Sequence, residues 1–224
     1  MDETGIRADV SARAVVHTGS AAWVASPSPG VDRIMLDRVG GEVARATSVV
    51  RYAPGASFAA HDHALGEEFL VLDGVFSDEL GHYPAGTYVR NPPGSSHAPR
   101  SEAGCTIFVK LRQFDPADRQ RVVIDTTTAP WFRGQVPGLT VLPLHQFGGV
   151  NTALVRWAPG TRFLPHEHWG GEEILVLEGV FSDQHGDHEV GAWIRSPHLS
   201  RHAPWSDPGA LIYVKTGHLL SRAR

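Results

Sequence analysis

Two matched sets of histidine and glutamate are the residues of this sequence best suited to metal chemistry. In the first half of the chain, His61 and His63 are followed by Glu67 and His97. Residues two apart in an extended strand point to the same face, so the first two imidazoles can meet one ion. Glu67 shares their parity, whereas Glu68 points to the opposite face and is expected behind the site or at the surface. Three neutral imidazoles and one carboxylate form a ligand set for a divalent metal ion.

The second half of the chain repeats this set at matched spacing. Its members are His166, His168, Glu172 and His202. In both halves the last histidine follows the glutamate by 30 residues, although many neighbouring residues differ. A lone histidine is more often a surface residue than a ligand, but eight residues in matched positions are not explained in that way. We therefore predict one divalent ion in each half. Zinc and iron are favoured, and manganese, nickel and copper also suit these ligands.

The repeat extends well beyond the candidate ligands. Residues 51–55 (RYAPG) recur as residues 156–160 (RWAPG), and residues 66–78 recur as residues 171–183, at the same offset of 105. Such a period is too long for a stacked solenoid unit, so each copy is expected to be a domain with its own core. The boundary lies between Asp115 and Arg121. We place the two domains at residues 1–116 and 117–224.

Short strands are expected to position these ligands. Sixteen prolines and 24 glycines are scattered through the chain, a pattern typical of many strands joined by turns. In the first copy, the apolar run 69–72 ends at Asp73-Gly74, and the run 87–90 ends at the turn 91–94 (NPPG). In a further run, 105–111, Ile107, Val109 and Leu111 share one face and are expected to point inward. The fold class is therefore all-β, with each copy a small barrel or jelly roll.

Composition and charge exclude several classes of partner. The net charge of −4, without blocks of like charge, does not provide the basic face that nucleic acids require. No run of 18 apolar residues is present, and residues 1–4 do not begin a signal peptide. We expect no membrane partner and a cytoplasmic location. Cys105 is the only cysteine, which excludes an internal disulfide and predicts a buried, unreactive thiol.

Two spaced motifs give the sequence a resemblance to the cupin superfamily. They read Gly55-x5-His61-x-His63-x3-Glu67-x6-Gly74 and Gly86-x5-Pro92-x-Gly94-x2-His97. More narrowly, residues 66–78 and 84–97 are similar to the ChrR-like cupin family. That resemblance implies two tandem RmlC-like jelly-roll β-barrels, a bicupin, with the metal inside each barrel. Copy two departs from the second motif, with Ser196, His198 and Leu199 at the positions of residues 91, 93 and 94, so its turn is expected to be reshaped.

The resemblance leaves two functions open. ChrR-like proteins include the C-terminal domain of zinc-dependent anti-sigma factors and stand-alone proteins with dioxygenase relatives. A six-coordinate ion with these four ligands has two open positions for water, dioxygen or a chelating substrate. One function is therefore a non-haem dioxygenase acting on a small dicarbonyl or phenolic compound. The alternative is a non-catalytic zinc-binding sensor or regulatory cupin, or a structural zinc. Direct anti-sigma action is not expected, because the helical zinc-binding domain of those factors is not recognised here.

Three residues near the ligands are candidates for a substrate pocket: Arg100, Trp169 and Trp205. Arg100 could attract an anionic substrate, and the two tryptophans could line an aromatic pocket, although packing or rim positions are the commoner use of each. The sequence identifies no catalytic residue. The only partner expected is a small-molecule ligand, with the chain either a monomer whose copies form an internal pseudo-dimer or a homodimer.

Other polar residues receive no chemical role from the sequence. Three histidines that do not recur at matching positions are expected to be solvated: His82, His185 and His188. Four cations recur in both copies and are interpreted as structural charges or as donors behind the ligands: Arg90, Arg195, Lys110 and Lys215.

Overall fold

The computed structural model describes residues 5–220. Residues 1–4, where a signal peptide was not expected, and residues 221–224, the end of the second predicted domain, lie outside this range. Every regular element within residues 5–220 is a β-strand, which confirms the all-β prediction. No helix in this range is long and apolar enough to cross a membrane.

The strands of the first part of the chain are β1 (Gly5–Ile6), β2 (Ala14–His17), β3 (Val24–Ala25), β4 (Val31–Val39), β5 (Arg45–Tyr52), β6 (Ala56–Ser57), β7 (His61–His63), β8 (Glu67–Asp78), β9 (Gly81–Pro84), β10 (Thr87–Asn91), β11 (Ser95–His97), β12 (Arg100–Ser101) and β13 (Cys105–Leu111). Those of the second part are β14 (Val122–Asp125), β15 (Phe132–Arg133), β16 (Leu139–Phe147), β17 (Val150–Trp157), β18 (Thr161–Arg162), β19 (His166–Glu167), β20 (Glu172–Asp183), β21 (Gly186–Glu189), β22 (Ala192–Ser196), β23 (Arg201–His202), β24 (Trp205–Ser206) and β25 (Ala210–Thr216).

The strands assemble into two compact units. Unit 1 contains residues 1–8 and 21–129, and unit 2 contains residues 9–20 and 130–224. The predicted domains were residues 1–116 and 117–224. Unit 1 also includes residues 117–129 from the second copy, and unit 2 also includes residues 9–20 from the first. Strand β14 pairs with β10 in unit 1, and β2 pairs with β22 in unit 2. Each added strand covers what would otherwise be an open sheet edge, which proteins avoid exposing.

Buried arginines hold the segments next to these added strands. Arg90 donates to Asp118 at 2.5 Å and to the carbonyl of Gln120 at 2.8 Å. Its partner by repeat, Arg195, donates to the carbonyl of Asp9 at 2.8 Å. Both arginines thus have the structural role that their recurrence predicted.

In unit 1 the main sheet runs β1-β4-β5-β13-β8-β10-β14, and all its pairs are antiparallel. The long strand β8 belongs to two layers, because its second half turns to pair with β9 and β12. The turn needs Gly74, which has φ +71°, and a Cβ there would lie 2.1 Å from the carbonyl oxygen of Gly104. The two layers enclose a core that includes Phe69, Val71 and Phe76.

Unit 2 has the same plan, with the sheet order β15-β16-β17-β25-β20-β22-β2. Its core includes Trp157, Ile174, Phe181 and Ile212. Each such buried side chain contributes roughly 1.5–3 kcal/mol through removal of apolar surface from water. In unit 1, Cys105 is buried as predicted, and burial raises the pKa of its thiol, which keeps it in the less reactive protonated form.

Candidate metal centres

The first histidine cluster lies where a short ribbon crosses the start of the long strand. Strands β7 and β11 pair so that His97 lies opposite His61. His63 follows on the same face of β7, as the two-residue spacing predicts. Ligand nitrogens of the three imidazoles all lie within 4.8 Å of one another. Unit 1 therefore brings together three side chains that could hold one metal ion.

Glu67 adds a carboxylate to this cluster. Its Oε2 lies 3.5 Å from the Nε2 atoms of both His63 and His97. The next residue, Glu68, lies on the opposite face of β8 and is buried, where its carboxylate accepts a hydrogen bond of 2.7 Å from the Tyr88 hydroxyl. The structure thus brings the four residues of the first copy together and places Glu68 behind the sheet rather than at the surface.

Unpartnered atoms in this cluster fit a metal ion. The Nε2 atoms of His63 and His97 are buried and have no hydrogen-bond partner among the described residues. Leaving such atoms unpaired is costly, and an ion at about 2 Å from each nitrogen would satisfy them. Burial also lowers the pKa of His63, which favours the neutral imidazole that a metal requires. The donor set could therefore hold a metal ion.

The second cluster is tighter. Strand β19 pairs with β23 so that His166 lies opposite His202. The Nε2 atom of His202 lies 2.8 Å from that of His168 and 3.2 Å from that of His166. Oε2 of Glu172 lies 3.5 Å from Nε2 of His168 and 3.7 Å from Nε2 of His202. Unit 2 therefore assembles all four residues of the second copy and could also hold one ion.

Burial sets the charge states of this second cluster. It lowers the pKa of His168 to about 3, with help from the neighbouring imidazoles. Burial also raises the pKa of Glu172 to about 7, and its Oε2 has no hydrogen-bond partner among the described residues. In unit 1, by contrast, Asn91 donates to Oε2 of Glu67 at 3.2 Å. Ser196 occupies the position of Asn91, so the second carboxylate lacks this donor.

The turn before the last histidine keeps its shape in copy two. The amide of Leu199 donates to the carbonyl of His168 at 2.9 Å, as that of Gly94 does to His63. Leu199 adopts φ +62° at the position where Gly94 has φ +85°. The expected reshaping is therefore wrong, because the leucine accepts a left-handed conformation and preserves the hydrogen bond.

Two aspartates that were not predicted as site residues lie beside the outer nitrogens of the last histidines. Oδ2 of Asp78 lies 3.2 Å from Nδ1 of His97, and Oδ2 of Asp183 lies 3.8 Å from Nδ1 of His202. A carboxylate on the outer nitrogen fixes the ring and makes the inner nitrogen a better ligand. The available signal was the Ser-Asp pair that ends the repeated segments 66–78 and 171–183.

One of the three histidines predicted to be solvated is buried. His82 and His185 are exposed as predicted, but His188 is only 5% exposed. It lies opposite Phe181 in the β20–β21 hairpin, at the repeat position of Tyr83. Its Nε2 lies 3.4 Å from Oδ1 of Asp183. The prediction for His188 is wrong because strand alternation turns this position inward in both copies.

A cavity of about 250 Å³ adjoins the second cluster. The four candidate ligands of unit 2 form part of its wall, and most of the remaining lining is apolar. Trp169 and Trp205 are not among the described residues that line this cavity. Trp169 is 70% exposed and packs edge-on against His198. Arg100 is exposed on β12 of unit 1. Trp169 and Trp205 therefore lie outside the lining of this cavity, and the role predicted for Arg100 in unit 1 stays a prediction.

Two units of antiparallel β-sheet, each bringing three histidines and a glutamate together, define a tandem protein of the bicupin class. Residues 11–115 and 119–220 each match the family described as ChrR Cupin-like domain. The chain therefore belongs to this family. Both copies are included, which confirms the resemblance drawn from the two motifs. No curated protein matches the sequence.

Solved structures share the fold of both units. A "putative dioxygenase" from Nostoc punctiforme has a TM-score of 0.77 and 15% identity over 95% of this chain and 85% of its own. Ylba from E. coli has a TM-score of 0.72 and 16% identity over 93% and 92%. An oxalate decarboxylase from Lactobacillus farciminis has a TM-score of 0.61 and 11% identity over 92% and 86%. These likenesses confirm the jelly-roll cupin fold.

Proposed function

We propose that each unit binds one divalent metal ion through its three histidines and one glutamate, and that the protein is a non-haem, metal-dependent dioxygenase. Its substrate would be a small dicarbonyl or phenolic compound. The observation that carries this proposal is the cavity of about 250 Å³ whose wall includes the four candidate ligands of unit 2. A closed structural zinc site has no need of an adjoining cavity, whereas a catalytic ion needs room for a substrate.

The protein's own residues would hold the ion and set its charge. Three neutral imidazoles and one carboxylate leave a divalent ion with a net charge of about +1 and, when six-coordinate, two open positions. Bound there, the ion would polarise an oxygen of the substrate and, as iron(II), provide for reaction with dioxygen. Asp183 would keep His202 oriented from its outer nitrogen, and the apolar lining would exclude water from the substrate.

One solved structure of the same fold carries a description that agrees with this activity. The Nostoc punctiforme protein has the word dioxygenase in its description, but at 15% identity it is informative for the fold. We also propose a small molecule as the partner, which the cavity beside the second cluster could hold, and a cytoplasmic location, which the single, buried cysteine favours.

A second candidate is a zinc-binding regulatory or structural cupin without turnover. Packing in unit 1 favours it for that site. The Phe76 ring lies 5.9 Å from the His97 ring and 4.5 Å from the Phe69 ring, whereas the smaller Ile174 stands at the position of Phe69 in unit 2. Zinc in such surroundings would stabilise the barrel rather than bind a substrate.

Metal analysis of protein purified without chelators or an affinity metal tests both candidates. We expect close to two ions per chain, with iron in at least one site, and oxygen uptake with diketones or hydroxyphenyl ketones. Zinc in both sites, with no oxygen uptake after reloading with iron(II), would favour the regulatory candidate. Absence of any bound metal would contradict the proposed centre itself.

A further inference from the structure

One position near the metal ligands differs in size between the two units. Phe69 in unit 1 and Ile174 in unit 2 are equivalent by the repeat offset of 105, and each follows the ligand glutamate by two residues. They also share their strand register, since Phe69 pairs with Val109 and Ile174 with Val214. Both side chains therefore point into the interior on the same side as the candidate ligands.

In unit 1 the phenylalanine fills this interior. Phe69 is 1% exposed, and its ring lies 4.5 Å from the Phe76 ring and 6.2 Å from the Tyr83 ring. In unit 2, the smaller Ile174 is part of the wall of the cavity beside the ligands. Thr216, which also lines this cavity, replaces Leu111 of unit 1. These two exchanges both reduce apolar volume in the same part of the barrel.

The cavity also presents an unused hydrogen-bond donor. Trp157 lines it and is only 5% exposed. Its Nε1 is buried and has no hydrogen-bond partner among the described residues. Burying an N–H without an acceptor costs free energy, and a ligand with an acceptor group could offset this cost. The tryptophan stands at the repeat position of Tyr52, so unit 2 has an indole N–H where unit 1 has a hydroxyl.

The charges of the lining limit the ligand that can enter. Among the described residues, no lysine or arginine lines the cavity, and its polar members besides the four ligands are Gln135 and Thr216. A dicarboxylate would therefore have only the metal to balance two charges in an apolar space, which is unfavourable. A cavity of 150 Å³ holds benzene, so about 250 Å³ suits one ring with a short substituent.

We propose that the substrate chamber of this protein lies in unit 2 alone, where Ile174 leaves the space that Phe69 fills in unit 1. Its ligand would be an uncharged or singly charged aromatic-sized molecule. One oxygen of that ligand faces the metal, and a second acceptor takes the N–H of Trp157. This inference deepens the proposed function and rests on it for the role of the metal, whereas the chamber itself can be tested without turnover.

Ligand binding to the zinc-loaded protein provides the test, since zinc supports binding without oxidation. The probes are phenol and 4-hydroxyacetophenone, with calorimetry to measure their stoichiometry and Kd. We expect one molecule of each probe per chain. Ile174→Phe introduces the residue of unit 1 and should raise the Kd of both probes at least tenfold. Thr216→Leu should also raise both Kd values. Phe69→Leu is the matched change in unit 1 and should leave both Kd values unchanged.

Trp157→Phe tests the donor separately. This change should raise the Kd of 4-hydroxyacetophenone several-fold. The Kd of phenol, which lacks the second acceptor, should stay nearly unchanged. Metal content and thermal unfolding are measured for every variant, so that misfolding of Ile174→Phe is recognised and the milder Thr216→Leu then decides. Two probe molecules per chain, or a loss of binding in Phe69→Leu rather than in the unit 2 variants, would overturn the inference. An equal loss of affinity for both probes in Trp157→Phe would refute the role of the Trp157 N–H as a donor to the ligand.

The two proposals fail in different ways. Probe binding in unit 2 without oxygen uptake by the iron-loaded protein would leave the chamber in place and refute the dioxygenase. Oxygen uptake that persists in a fully folded Ile174→Phe variant would support the dioxygenase activity and refute the proposed location of the substrate chamber.

Discussion

The carboxylate of Asp78 lies 3.2 Å from Nδ1 of His97, while the Nε2 of the same ring faces Glu67 at 3.5 Å. The two carboxylates therefore flank the imidazole on opposite sides. Asp78 is held in turn by the Tyr83 hydroxyl, which donates to it at 3.0 Å. This relationship makes Asp78 a positioning residue for the first metal centre.

Replacing Asp78 by asparagine should weaken metal binding in unit 1. The amide cannot supply the charge that makes the ring a stronger ligand, so we expect a loss of about 10- to 100-fold in metal affinity. Competition with a chelator of known zinc affinity would measure it. Asp73→Asn, at an exposed position on the same strand, is the control. An unchanged affinity in Asp78→Asn would show that Asp78 only supports the hairpin.

The local parts of each site were predictable from the sequence, and the non-local parts were not. The two-residue spacing of His61 and His63 determines their common face within one strand. Asp78 reaches His97 only because β8 bends at Gly74. Asp73-Gly74 predicted the end of a strand, but not that the chain continues into a second layer and returns to the last histidine. The strand exchange has the same origin, because the pairing of β14 with β10 depends on edges that meet only in the folded unit.

The cavity in unit 2 depends on the sizes of side chains that point inward together. Phe69 and Ile174 differ visibly in the aligned copies, but a single size difference does not define an empty volume until its neighbours are placed. His188 illustrates a related limit. The absence of a matching histidine in copy one predicted a solvated side chain, whereas the position of His188, equivalent to Tyr83, determines its burial. Repeat alignment combined with strand alternation would have corrected this prediction.

Glu172 should make the stability of the metal-free protein depend on pH. Burial raises the pKa of this carboxyl from 4.5 to about 7. Its stability contribution is therefore fully present below about pH 4.5 and is lost as the pH rises through about 7. Glu172→Gln removes this loss. The free energy of unfolding of the metal-free variant should therefore exceed that of the parent protein by on the order of 3 kcal/mol at pH 8. The difference should shrink towards pH 5.

Urea unfolding of chelator-treated protein at pH 5 and pH 8 would check this prediction. Glu178→Gln, an exposed change on the same strand, should behave like the parent protein at both values. With zinc present the parent protein should be the more stable of the two, because Glu172→Gln lacks a metal ligand and is stabilised less by zinc binding. A difference between Glu172→Gln and the parent protein that does not vary with pH would contradict the assigned titration.

Removing the histidine pair of each unit should separate the two metal centres. His61→Ala with His63→Ala should leave one ion per chain, bound in unit 2, and retain oxygen uptake. His166→Ala with His168→Ala should also leave one ion but abolish oxygen uptake, because the chamber adjoins that cluster. Elemental analysis and an oxygen electrode give both results. Unfolding of either double variant at ambient temperature would instead indicate a structural metal in that unit.

Arg90 should contribute strongly to the stability of unit 1 although it lies away from the metal. Its guanidinium is 2% exposed, pairs with Asp118 at 2.5 Å and lies 3.7 Å from the centre of the Phe114 ring. Arg90→Ala would break this buried ion pair, a change that costs about 3–5 kcal/mol. Arg100→Ala removes an exposed arginine in the same unit and should change the free energy of unfolding by less than about 0.5 kcal/mol. Urea unfolding of both variants compares them directly, and similar midpoints would refute the role assigned to Arg90.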